Sequence, residues 1–149
     1  MPTKWEPGTS SHRFEQLIRG MNWVRPADGV MPLINGELRF HGDKDLNVIR
    51  TVQIADGTGT VTRAWSGYGD PLSWPGITLS SPGQLFAMRV DANTFRIYGE
   101  KVRVTSSAAV AARLPEFPRY ELTKRVEGGA TVIEPHGWQR GCWFELRLG

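Results

Sequence analysis

At 149 residues with a formal charge of +3, the chain has the size of one domain, and at that size a core needs no disulfide or metal to hold it. Its one cysteine, Cys142, excludes an intramolecular disulfide and leaves a cysteine-based zinc site without partners, and its apolar runs fall far short of the roughly 18 residues of a membrane span. Fourteen of the eighteen basic residues are arginine, which suits paired or interfacial cations, and 17 glycines with 10 prolines favour short strands joined by turns.

In chain order, residues 1–10 read as an extended arm in which Trp5 is a lone aromatic suited to docking on a neighbour. The start has no apolar stretch of the kind a secretory leader carries, so none is expected. Phe14, Leu17, Ile18 and Met21 recur at helical spacing behind Ser10 and Ser11, which predicts a short helix over 11–21. Strand signals follow. Residues 31–34 and 37–40 flank Asn35-Gly36, a strong hairpin signal, and place Met31, Leu33, Leu38 and Phe40 on one core face. Residues 47–55 and 60–65 flank Asp56-Gly57-Thr58-Gly59. Val48, Val52, Ile54, Val61 and Trp65 share a face there, but Arg50 and Arg63 fall on it too, which points them to a rim or a partner.

Residues 65–76 are punctuated by glycine and proline and read as a long loop carrying Trp65, Tyr68 and Trp74. Residues 85–90, 95–98 and 101–105 read as a three-stranded meander. Its expected inner face is Met88, Val90, Phe95, Ile97, Val102 and Val104, and its outer face carries Arg89, Arg96, Arg103 and Lys101. The Ser-Ser-Ala-rich stretch predicts a second short helix over 106–114, ended before Pro115. Residues 118–125, 130–134 and 142–148 read as further strands. The expected fold is therefore mostly β: a single-domain β-sandwich or β-barrel over 11–149 with one short N-terminal helix and one near 106–114.

Four constellations are candidates for chemistry. Arg89, Arg96 and Arg103 would stand side by side on adjacent strands, with Lys101 beside them. Like charges in cross-strand pairs destabilise a sheet, so the row calls for acidic groups, from another subunit, from this chain or from phosphate. Nucleic acid is disfavoured, because Tyr98 is the only aromatic among these cations and stacking rings are wanted there. Trp65, Tyr68 and Trp74 form an aromatic anchor set or a stacking platform for a glycan. His41-Gly42-Asp43-Lys44-Asp45 reads as a polar turn rather than a metal site, and His136 with Cys142 lacks an orienting third group. No catalytic residue, metal or cofactor is assigned.

The stretch Gly83-Gln84-Leu85-Phe86-Ala87-Met88-Arg89-Val90-Asp91-Ala92-Asn93-Thr94-Phe95-Arg96-Ile97 resembles the small β-hairpins of tailed-bacteriophage virion proteins, in which a Val-Asp-Ala-Asn-Thr-Phe segment links two strands. The resemblance implies a tail, baseplate or head-surface subunit, located in the virion and assembled in the host cytoplasm. The expected function is a non-enzymatic structural subunit of a symmetric assembly, homo-oligomeric, with other protein subunits as partners and no membrane insertion. The alternatives are a carbohydrate- or ligand-binding β module using loop 65–76, and a small enzyme using His41 or His136 with nearby carboxylates.

Overall fold

The computed structural model describes residues 28–43 and 48–149; the Trp5 arm and the helix expected over 11–21 lie outside the described residues. Thirteen strands follow: β1 (Gly29–Leu33), β2 (Gly36–Asp43), β3 (Val48–Asp56), β4 (Val61–Ser66), β5 (Leu72–Trp74), β6 (Ile77–Ser80), β7 (Leu85–Asp91), β8 (Thr94–Tyr98), β9 (Val102–Ser106), β10 (Val110–Arg113), β11 (Thr123–Glu127), β12 (Ala130–Glu134) and β13 (Phe144–Leu148), with one 3₁₀ turn at Gly137–Gly141. They form an eight-stranded sheet in the order β1-β2-β3-β4-β7-β8-β13-β10 and a five-stranded sheet in the order β11-β12-β9-β6-β5. Every pair is antiparallel, and neither sheet closes on itself, so the architecture is two-sheeted and not a barrel. No helix among the described residues is long and apolar enough to cross a membrane.

The main core lies between the sheets. From the large sheet come Ala64, Leu85, Ala87, Phe95, Ile97, Phe144 and Leu146; from the small one come Leu72, Trp74, Ile77, Leu79, Val102, Val104 and Ile133. Trp74 meets Phe95 edge to face at 5.1 Å and donates its indole N–H to the Val61 carbonyl at 2.8 Å, so its one polar atom is satisfied inside the core. A second cluster of Leu38, Ile49, Val52 and Trp65, with Met31, Phe40, Ile54 and Phe86 against it, packs around β2–β4. Side chains alternate along a strand. Trp65 and Phe86 therefore stand on the face opposite Ala64 and Ala87, turned away from the small sheet.

Several sequence expectations are corrected. The first hairpin turns at Ile34-Asn35 rather than Asn35-Gly36, with Leu33 opposite Gly36 and Met31 opposite Leu38. That shift keeps parity, so Met31, Leu33, Leu38 and Phe40 still share a face. Residues 85–105 do not form one meander. Val90 is a bulge, Ala87 stands opposite Ile97 and Met88 opposite Arg96, so the face assignment of β7 is inverted. β8 then pairs with β13, and β9 crosses to the other sheet beside β6 and β12. There Val102 and Val104 are buried in the same core as Phe95 and Ile97, facing them from the opposite sheet.

The helix expected over 106–114 is absent. Ser106 Oγ accepts the Ala108 N–H at 3.1 Å, a local turn contact, and Val110–Arg113 runs as β10 against β13. Val110 and Ala112 then pack on the core, so tertiary packing overrides alanine's helical preference. The expected loop over 65–76 is also shorter than its punctuation suggests, because β4 reaches Ser66 and β5 begins at Leu72.

Candidate functional site

The four cations expected on one face occupy three surroundings. Arg96 lies on the outer face of the large sheet, across from Met88 and Glu145. Arg89 falls on the inner-facing parity at the end of β7, its Nη2 donating to the Ala92 carbonyl at 3.3 Å. Arg103 stands on the outer side of the small sheet. Its guanidinium meets the Glu127 carboxylate at 3.6 Å and the Glu127 carbonyl at 3.2 Å. Arg125, which sequence reasoning passed over, binds Glu127 and reaches Glu134 at 2.9 Å, and its hydrogen bonds hold both carboxyls below their usual range, with Lys101 adding to the same effect. Arg103 and Lys101 thus belong to a surface whose charge this chain balances itself.

The three loop aromatics do not make a platform either. Trp74 is in the main core and Trp65 is 3% exposed on the opposite face of the large sheet. Gly67 permits that placement, since a side chain there would meet the Trp65 ring at 2.2 Å. Only Tyr68 is open to solvent, with Arg50 over its ring at 5.5 Å. Arg50 also grips Asp70 with two bonds of 2.7 and 2.9 Å and donates to the Tyr68 carbonyl at 3.2 Å. One of the two arginines that spoil the strand alternation is therefore an internal clamp.

The hydrogen bond from Arg50 is the chief cause that holds the Asp70 carboxyl below its usual range. A carboxyl whose affinity for protons drops on folding stabilises the fold above the unfolded-state pKa and loses that contribution as pH falls through the folded value. Asp70→Asn is accordingly expected to be less stable than the parent at pH 7, with the gap closing below pH about 4. Thermal melts of both proteins from pH 7 to 3 check this; a gap that stays constant over that range would refute it.

The other arginine marks the site. On the outer face of the large sheet, Val52, Ile54, Trp65, Phe86, Met88 and Trp143 line an open groove of about 170 Å³, with Arg63 on its wall. The strand ladder sets these side chains in rows: Ile54, Arg63, Met88 and Arg96 in one, Val52, Trp65, Phe86 and Tyr98 in the next. Phe86, Tyr98 and Trp143 touch one another with ring centroids 5.9–6.5 Å apart. Met88 and Trp143 also wall a second hollow of about 210 Å³, bounded by Arg96, Pro115 and Glu116.

Arg63 and Arg96 form no ion pair with any described residue, and Glu145 beside Arg96 is engaged by Arg113 at 2.9 Å and Arg147 at 3.6 Å. The Trp65 indole N–H is buried with no acceptor among the described residues. The first groove therefore offers apolar walls, hydrogen-bond donors and uncompensated positive charge. Among the described residues its lining holds no carboxylate, imidazole, hydroxyl or thiol.

The remaining candidates lie elsewhere. His41 binds Asp28, both exposed, and His136 Nε2 meets Thr123 Oγ1 at 2.6 Å rather than Cys142, whose thiol faces the Trp138 carbonyl. Of the stretch expected to be a polar turn, His41 to Asp43 belong to β2 instead, and the Asp43 side chain and residues 44–47 lie outside the described residues. A further exposed cluster joins Trp138 to Phe117 and Tyr120 at 5.0 and 5.1 Å, three rings that sequence spacing gives no reason to associate. The buried Gln139 fixes them by bonding the Glu121 carbonyl and the His136 N–H. No protein-family model, curated protein or solved structure matches the chain.

Proposed function

We propose that the protein is a non-enzymatic subunit of a larger protein assembly and that it joins its neighbours through the outer face of the eight-stranded sheet. The groove receives an apolar side chain carried on a neighbouring protein segment beside a carboxylate. The observation that carries this reading is the pairing of an open aromatic and thioether groove with two guanidinium groups, Arg63 and Arg96, that have no acid partner among the described residues. Tryptophan, tyrosine, phenylalanine, methionine and arginine are the residues enriched at the centres of protein interfaces, and an exposed apolar patch with a polar rim marks a contact site. In this reading the contact surface is the groove instead of an arginine row. A tailed-phage particle as the assembly rests on the hairpin resemblance alone. The glycan-binding alternative relied on Trp65, Tyr68 and Trp74 acting together, and those side chains do not meet.

An anionic aromatic probe tests the chemistry of the groove. 1-Anilinonaphthalene-8-sulfonate combines flat rings with a negative group, as the proposed occupant does. Saturable binding at one site is expected, weakened at least tenfold, about 1.4 kcal/mol, in the Arg63→Glu/Arg96→Glu double variant. Equal binding by the parent and the variant would overturn the reading.

A further inference from the structure

Resting on that reading, we infer that the groove's occupant is the β1–β2 hairpin tip of a second copy of this chain, so that copies join head to tail. The tight turn at Ile34-Asn35 leaves Ile34 99% exposed at the end of the large sheet, with Val30 and Leu33 on the same hairpin 61% and 41% exposed. A fully solvated isoleucine in the turn of a hairpin that β3 flanks up to Gly36 is an apolar knob whose position is already fixed, so ordering it on binding costs little. The groove is a hole of matching scale: a cavity of roughly 150 Å³ admits a benzene ring, and this one measures about 170 Å³.

Charge matches as well. Beside the tip, Asp56 stands across from Gly36 on β3. One carboxylate oxygen of Asp56 accepts from Thr58 N at 2.9 Å, Thr58 Oγ1 at 2.6 Å and Thr60 N at 3.1 Å. Its other oxygen has no partner among the described residues, and these bonds fix the anion across from Gly36 at the base of the turn. Glu37, the other acid at this end, is taken by Arg39 at 2.6 Å. The knob therefore carries one available carboxylate, and the groove carries Arg63 with no acid in its described lining, Arg96 lying beyond Met88 in the same row.

A molecule cannot satisfy itself this way. The tip and the groove belong to one continuous sheet, in which the row containing Arg63 lies inward of the row joining Gly36 to Asp56. The contact is heterologous, each copy offering a knob to one neighbour and a hole to another, a geometry that builds rings or filaments rather than closed two-fold dimers.

Sedimentation velocity of the full chain over roughly a hundredfold range of concentration tests the inference, with circular dichroism to show that variants remain folded. The parent is expected to associate as concentration rises. Ile34→Asp removes the knob and Arg63→Glu/Arg96→Glu spoils the hole; each is expected to weaken association at least tenfold. Mixed, the two variants are expected to form a one-to-one complex, because one retains its hole and the other its knob. Loss of association with the hole variant but not with Ile34→Asp would overturn the hairpin assignment and leave the groove reading standing. A parent that is monomeric throughout, or a mixture that fails to pair, would overturn the head-to-tail contact, while the probe titration judges the groove separately.

Discussion

Replacing Phe95 by alanine is expected to cost about 3–5 kcal/mol of folding stability, the range for an aromatic ring deleted from a well-packed core. Phe95 is 1% exposed on β8 and stands between Leu146 of β13 on its own sheet and the Trp74 ring of the opposite sheet. Removing it takes away the edge-to-face contact and leaves a hole that neither neighbour can fill. Trp74 is held by its bond to the Val61 carbonyl, and Leu146 by the β8–β13 ladder. Phe117→Ala is the control: that ring is 39% exposed, and the change is expected to stay within about 1 kcal/mol. Urea denaturation of the three proteins measures both. A Phe95→Ala cost near that of Phe117→Ala would mean that the two sheets do not share their core at this point.

Gly36→Ala is expected to cost about 3 kcal/mol, at the upper end for overpacking. A β-carbon at position 36 would stand 1.9 Å from the Ala55 carbonyl oxygen, and that oxygen belongs to the backbone, so no rotamer change can relieve the clash. β2 must draw away from β3, and Leu38 and Phe40 of the second cluster move with it. The damage is expected to be local. In hydrogen exchange the amides of β1–β3 should lose protection, while those around Phe95 and Phe144 keep theirs. Gly83→Ala, where nothing lies within 4 Å, is expected to change stability by no more than about 0.5 kcal/mol. Uniform loss of protection across both sheets would show that the hairpin and the sandwich unfold as one unit.

How far the fold is legible from the sequence depends on how far apart in the chain the deciding contacts lie. The turn at Asp56-Gly57-Thr58-Gly59 and its two strands are readable because every contact is local. Met31, Leu33, Leu38 and Phe40 share the expected face despite the wrong turn, since a register error of two preserves alternation, but Leu33 at the tip is exposed rather than in the core. At Val90 the error is one residue, and every side chain of β7 changes sides. Val102 and Val104 announce a half-buried strand, but nothing in their spacing says which sheet it joins. The partner that β8 takes instead, β13, is remote in sequence, so no window around residues 85–105 contains it. Of the site, Arg63 stands out in the sequence because it breaks the alternation of its strand. Phe86 and Trp143 gave no such signal, since their meeting is made by strand order and not by spacing.

The position of β13 between β8 and β10 bears on how the chain reaches this state. Of the strands in the large sheet it is the latest in sequence, yet it is an interior one. Until it arrives, both of its neighbours present raw edges, and the hydrophobic side of β8 is roofed but not flanked. Such edges template pairing between molecules. Renaturation from denaturant should therefore favour dilute solution, and a nascent chain stays vulnerable to aggregation until β13 has left the ribosome.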